Sequence, residues 1–158
     1  MRGAKRILKG ALFLPAALLV LFVLFEFIGI AANHAASTRQ TEQLLELLQA
    51  NLQQVDILDS YTETGNTSGT GNHVDMLSAV IFRTGADLEE IEQVLQEYGA
   101  LDEWSFWVKP MAQVSAAREE HPYLYPFLER VAVPEDFEDT WLLYMNTDAP
   151  FPNNIEGH

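Results

Sequence analysis

The sequence predicts an α+β protein: an N-terminal transmembrane helix, then an amphipathic helix, then a small, mainly antiparallel sheet with helix packed on one face. Three observations carry this. Residues 11–32, ALFLPAALLVLFVLFEFIGIAA, form one apolar run interrupted by a single charge, Glu26. The stretch that follows places Leu44, Leu45, Leu48, Leu52 and Val55 at helical spacing among Gln, Glu and Asn. From Val55 onward the pattern shortens to period-two segments bounded by glycine or proline, the pattern of strands joined by turns.

A helix over residues 11–32 would reach ~33 Å at ~1.5 Å per residue, enough to cross a hydrocarbon core of ~30 Å. Inside a bilayer such a helix satisfies its own backbone groups. Arg2, Lys5, Arg6 and Lys9 precede the run, so the N-terminus is expected in the cytoplasm and the C-terminal domain outside the cell membrane. The alternative is a cleavable signal peptide, with residues 11–25 as its apolar region and Gly29-Ile30-Ala31 as a weak cleavage site. The length of the full run favours a retained, single-pass signal anchor. With no cysteine in the chain, a lipid-modified anchor is excluded and disulfides cannot contribute. The expected division is a basic cytoplasmic segment (1–10), the span (11–32), a juxtamembrane amphipathic helix (33–54), an extracytoplasmic domain (55–148) and a C-terminal tail (149–158).

Charge is split between the two sides. The 158 residues carry nine Lys and Arg against 23 Asp and Glu. Beyond residue 36 five basic residues face 22 acidic ones, a net charge of −17. Such a field repels nucleic acid and anionic headgroups, and it favours solubility and cationic partners.

Taken in order, Ser37 with Gln40 reads as a helix start of the capping-box type. Val55, Ile57, Asp59 and Tyr61 alternate with Asp56, Leu58, Ser60 and Thr62 as a first strand. The loop GNTSGTGN (65–72) offers three glycines for positive φ. Residues 73–84 form the strongest strand, and the consecutive Val80, Ile81 and Phe82 imply a central place and a hairpin with the first. Asp87 and Glu90 open a helix whose buried stripe is Leu88, Ile91, Leu95 and Tyr98, stopped at Gly99. Residues 104–108 read as a third strand closed by Pro110. The segment 111–128 begins with a helical pattern that Pro122 and Pro126 break, and 131–134 is extended. Residues 140–146 read as the last strand, and the tail APFPNNIEGH has no periodicity and reads as coil.

No stretch carries a motif of known chemistry. The glycine loop joins two strands and lacks the helix N-terminus and lysine of a phosphate cradle. His34, His73, His121 and His158 show no local metal-ligand spacing, although His73 and Asp75 would share one strand face. The segment with Glu135, Asp136, Glu138 and Asp139 lacks the calcium-loop pattern. No serine sits in a nucleophile-elbow context, and no cofactor is expected. Two features stand out as contact candidates. Glu26 is a lone acid within the span, where it would mark a contact with a membrane partner or a second copy. Trp104, Phe106 and Trp107 are the candidate binding surface, with Trp104 and Phe106 expected on one strand face and Trp107 on the other, so that one of the two faces needs cover. The resulting expectation is a single-pass membrane protein with an acidic extracytoplasmic binding or accessory domain. Its protein contacts would run through the membrane and juxtamembrane helices. Two rivals are an extracytoplasmic hydrolase built on a His–carboxylate pair and an inhibitor or immunity-type protein with a basic partner.

Overall fold

The helix α1 (Arg2–Asn51) runs unbroken from the basic N-terminus through the apolar run into the leucine-rich stretch. In this computed structural model the described residues are 2–69, 71–96, 106–116 and 137–157, with backbone alone for 2–12, 115 and 116. At ~1.5 Å per residue α1 spans ~75 Å. Nothing between its two halves stops a helix, and Ser37 lies in its interior instead of capping a new one. The Ser37 hydroxyl donates to the Glu63 carbonyl at 3.1 Å. It serves as a tertiary contact because the neighbouring backbone is already paired within the helix. α1 is the one helix among the described residues long and apolar enough to cross a membrane.

One face of α1 is buried from Gly29 downwards. Gly29, Asn33, Ser37, Gln40, Thr41, Leu44, Leu48 and Leu52 follow one another at steps of three or four, apart from the adjacent Gln40 and Thr41. Above them the large apolar side chains from Phe13 to Ile28 are exposed.

Four strands, β1 (Asp56–Gly65), β2 (Asp75–Arg83), β3 (Phe106–Pro110) and β4 (Thr140–Asp148), form an antiparallel sheet in the order β1-β2-β4-β3. β1 and β2 are the expected hairpin, with Gly65 opposite Asp75 and Asp56 opposite Arg83. Gly65, Gly69 and Gly71 take φ of 148°, 70° and 82° in the connecting loop, as their lack of a Cβ allows. β2 lies between β1 and β4 and is buried along its length up to Arg83.

The simple alternation expected of β1 fails at a bulge between Ile57 and Asp59. The extra residue, Leu58, shifts the face of everything after it. Ile57 packs on the α1 side, whereas Tyr61 packs on the opposite side.

On one face of the sheet, Val80, Phe82, Val108, Leu143 and Met145 pack against Leu44 and Leu48 of α1, Leu52 just past its end, and Ile91 and Leu95 of α2 (Leu88–Gln96). The other face is also apolar, with Leu77, Ala79, Ile81, Leu142 and Tyr144. It is covered in part by Met111 and Val114 of α3 (Met111–Ala116), which starts directly after Pro110. Helix therefore lies on both faces, not on one, because both faces of the central strands are apolar and need cover.

The capping box of α2 forms as read: Asp87 N–H donates to Glu90 Oε2 at 3.3 Å, and Glu90 N–H to Asp87 Oδ1 at 3.0 Å. Leu88 is exposed, and Val94 packs beside Ile91 and Leu95 in its place. Tyr98, Gly99, Trp104, His121, Pro122, Pro126, residues 131–134, Glu135 and Asp136 lie outside the described residues.

The C-terminal tail is not free coil. Val74 N–H donates to the Pro152 carbonyl at 2.8 Å and Ala149 N–H to the Val74 carbonyl at 3.1 Å. A 3-10 turn, Ile155–Gly157, follows. Gly157 is pressed onto the backbone of His73, so close that a Cβ would lie 2.8 Å from the His73 carbonyl carbon.

Candidate functional site

Fixed at Val74 and His73, the tail reaches α1 at the helix turns where exposed apolar side chains give way to the buried stripe. Asn33, fully buried, donates from Nδ2 to the Phe151 carbonyl at 3.0 Å and accepts from the Phe151 N–H at 2.9 Å. One turn above, Gly29 is buried, and a Cβ there would come within 3.3 Å of the Phe151 Cβ and 3.4 Å of Asn154 Nδ2. Higher still, the Phe25 ring meets Phe151 edge-on at 5.7 Å, and Glu26 Oε2 accepts from the Ile155 N–H at 2.9 Å. His34 Nε2 lies 2.6 Å from Glu156 Oε1. Gly29 follows the adjacent Phe25 and Glu26 by four and three residues, and Asn33, with His34 next to it, follows Gly29 by four, which places them along one side of the helix. The chain thus clasps its own apolar helix with the segment from Phe151 to Glu156.

Below the clasp, α1 is held in register by a buried polar cluster. Gln40 Nε2 donates to Ser78 Oγ at 3.1 Å and to the Met76 carbonyl at 3.3 Å, and Gln40 Oε1 accepts from Thr147 Oγ1 at 2.6 Å. Thr41 Oγ1 lies 2.6 Å from Thr62 Oγ1 and 2.7 Å from Ser78 Oγ. Leucines alone would let the helix slide or turn by a fraction of a residue at little cost. Directional bonds to three strands remove that freedom, since any slip leaves buried polar groups unpaired.

A second cluster sits at the end of β2. His73 Nε2 lies 3.1 Å from Asp148 Oδ1 and 3.6 Å from Asp75 Oδ1. Asp75 and Asp148 are cross-strand partners. The buried Asp75 also accepts from the Ser68 N–H at 3.0 Å, tying the glycine loop to the strand. One donor atom from each of His73, Asp75 and Asp148 falls within 4.8 Å of the others, a spacing on which a metal ion could sit. Three donors leave a fourth zinc position to water. The cluster also meets one requirement of the hydrolase reading, a histidine within hydrogen-bond reach of a carboxylate. It is open on one side, with the Asp148 side chain 84% exposed. The sequence puts His73 and Asp75 on one face, but Asp148 joins them only through the β2–β4 register, which no local pattern reveals.

Of the aromatic candidates, Phe106 and Trp107 are half-buried on opposite faces of β3. Trp107 stacks on its cross-strand partner Tyr144 at 4.9 Å, with Lys109 Nζ 5.3 Å from its ring centroid. The two rings do not share a surface, and each already has protein packed against it. The Glu26 carboxylate meets the backbone amide of the chain's own Ile155.

No known protein family, characterised protein or solved structure matches this chain.

Proposed function

We propose that the chain is a single-pass membrane protein. In this reading α1 is a retained anchor, the N-terminus is cytoplasmic, and the acidic α+β domain stands outside as a binding or accessory module. The observation that carries this reading is the clasp. A signal peptide is dispensable to the fold it exports, whereas here the tail packs on Phe25, Glu26 and Gly29. Cleavage after Ala31 would remove all three and place a new charged terminus on Ala32, directly before Asn33. The basic residues before the run support the orientation.

Contact between the tail and the helix also supports placing the outer membrane boundary near Glu26 to Ile28, short of Ala32. From Arg6 to Glu26 is 20 residue steps, or ~30 Å of helix, the thickness of a hydrocarbon core. The domain then stands directly on the bilayer, on a helix that enters its core without a linker. A motion of the helix would reach the sheet through Gln40 and Thr41.

Protease added to intact cells should remove a C-terminal tag and leave a membrane-bound stub; release of the tagged domain into the medium would refute the anchor. For the partner, the net charge of −17 beyond residue 36 supports a basic protein, which predicts capture that weakens steeply with salt. The rival hydrolase reading rests on His73 and Asp148, and it requires activity that His73→Ala abolishes while the fold is kept.

A further inference from the structure

The underside of the clasp is apolar. Ile155 is 61% exposed although its own amide is bonded to Glu26, and Phe27 and Ile28, which follow Glu26 on α1, are 66% and 61% exposed. Within the domain beyond α1, Ile155 and Leu88 are the large aliphatic side chains left open among the described residues. Leu88 belongs to α2, whereas Ile155 is fixed at the depth of Glu26 by a 2.9 Å hydrogen bond.

We infer that the segment from Pro150 to Ile155 is a second membrane contact, a foot that lies in the outer headgroup region beside the helix and presents Ile155 to lipid. This rests on the anchor reading above. The occupant is the lipid interface, because exposed apolar side chains occupy α1 from Phe13 to Ile28 and the turn that holds Ile155 is bonded to Glu26 within that run. An aliphatic side chain at that level gains by leaving water for the acyl boundary. The polar side of the same turn completes the arrangement. The Ile155 N–H donates to one oxygen of the Glu26 carboxylate, so the acid at the edge of the span has a hydrogen-bond partner within the chain. Glu156, Asp148 and the acidic domain above would repel anionic headgroups, so the foot suits a zwitterionic surface.

The absence of cysteine makes the test direct. Single variants Val20→Cys, Ile155→Cys and Ser60→Cys of the full chain are labelled with an environment-sensitive fluorophore and reconstituted in phosphatidylcholine vesicles. Quenching by lipids carrying nitroxide near the headgroup or along the acyl chain is then read. The span position Val20 should be quenched from the acyl chain, Ile155 from the headgroup level with a blue-shifted emission, and Ser60, exposed on β1, from neither. Quenching at Val20 with Ile155 behaving like Ser60 would overturn the foot and leave the anchor standing. Absence of quenching at Val20 would overturn the anchor and the foot together. Equal quenching at Ser60 and Ile155 would mean that the whole domain lies on the surface, and it too would overturn a discrete foot.

Discussion

Asn33 and Phe151, 118 residues apart, are joined by two hydrogen bonds in opposite directions: the buried amide gives its N–H to the Phe151 carbonyl at 3.0 Å and takes the Phe151 N–H at 2.9 Å. A single side chain thereby replaces the backbone partner that this segment would have in a sheet. The tail can lie against a helix, where no ladder is available, because Asn supplies both a donor and an acceptor in one plane.

Asn33→Leu keeps the size of the side chain and removes both bonds, leaving two peptide groups of the tail unpaired. The expected loss is about 2–3 kcal/mol, from the cost of stranding buried polar groups. Chemical unfolding of the full chain in detergent measures it. Proteolysis should then begin within the tail. A variant as stable as the parent would mean that the clasp contributes nothing to the fold.

Two glycine sites should differ in how much change they tolerate. Gly157→Ala puts a Cβ 2.8–3.0 Å from backbone atoms of His73, which cannot move aside as a flexible side chain would. A loss of about 1–3 kcal/mol is expected from the forced shift. By contrast, inserting two Gly or Ser residues after Gly69, where a Cβ would meet nothing within 4 Å, should cost well under ~1 kcal/mol, since loop entropy grows slowly with length. Thermal melts of the two variants side by side give the comparison. A large loss from the insertion would show that the tie from Ser68 to Asp75 fixes the whole loop.

The polar cluster under α1 can be tested by a double-mutant cycle. Thr41→Val and Ser78→Ala each remove one side of the 2.7 Å contact between their hydroxyls. Each should cost about 1–3 kcal/mol, because partners are left buried and unpaired. The double variant should cost less than the sum, with a coupling of ~0.5 kcal/mol or more. Strict additivity would mean that the two hydroxyls do not act together and that the leucines alone set the register.

What the sequence made legible was whatever depended on local pattern. Val80, Ile81 and Phe82 announced a central strand because a continuous apolar run needs cover on both sides. Asp87 and Glu90 announced a helix start because the capping bonds close within three residues. The failures share a different cause. Ser37 resembled a cap, but whether a helix begins or continues there depends on the residues before it, and those were themselves helical. The bulge at Leu58 flips Tyr61 to the other face without any glycine to mark it. The tail has two prolines and no period, so its partners, Asn33 and Val74, are set only by tertiary contact. Asp148 meets His73 for the same reason, through a strand register across 75 residues.

Glu26 decides between two accounts of the helix. A lone acid in a membrane segment usually needs a partner, because a bare carboxylate costs ~2.5–3.5 kcal/mol at the bilayer centre and less toward the interface. The partner can belong to another helix or to the same chain. In the structure the Ile155 N–H occupies one of its oxygens, and the clasp holds that amide in place through Phe151 and Asn33. If this internal bond is the role of Glu26, Glu26→Leu should insert at least as well as the parent and leave crosslinked membrane complexes unchanged. It should also raise the rate at which protease cuts the tail. The loss in stability should be modest, ~0.5–1.5 kcal/mol, since the bond is exposed and its loss does not strand a buried group. Glu26→Gln, which keeps a carbonyl oxygen for the Ile155 amide, should restore the protected tail. The opposite pattern, in which crosslinking falls with Glu26→Leu while the tail stays protected, would assign the carboxylate to a second helix. The clasp would then be the means by which the domain positions that contact at the membrane edge.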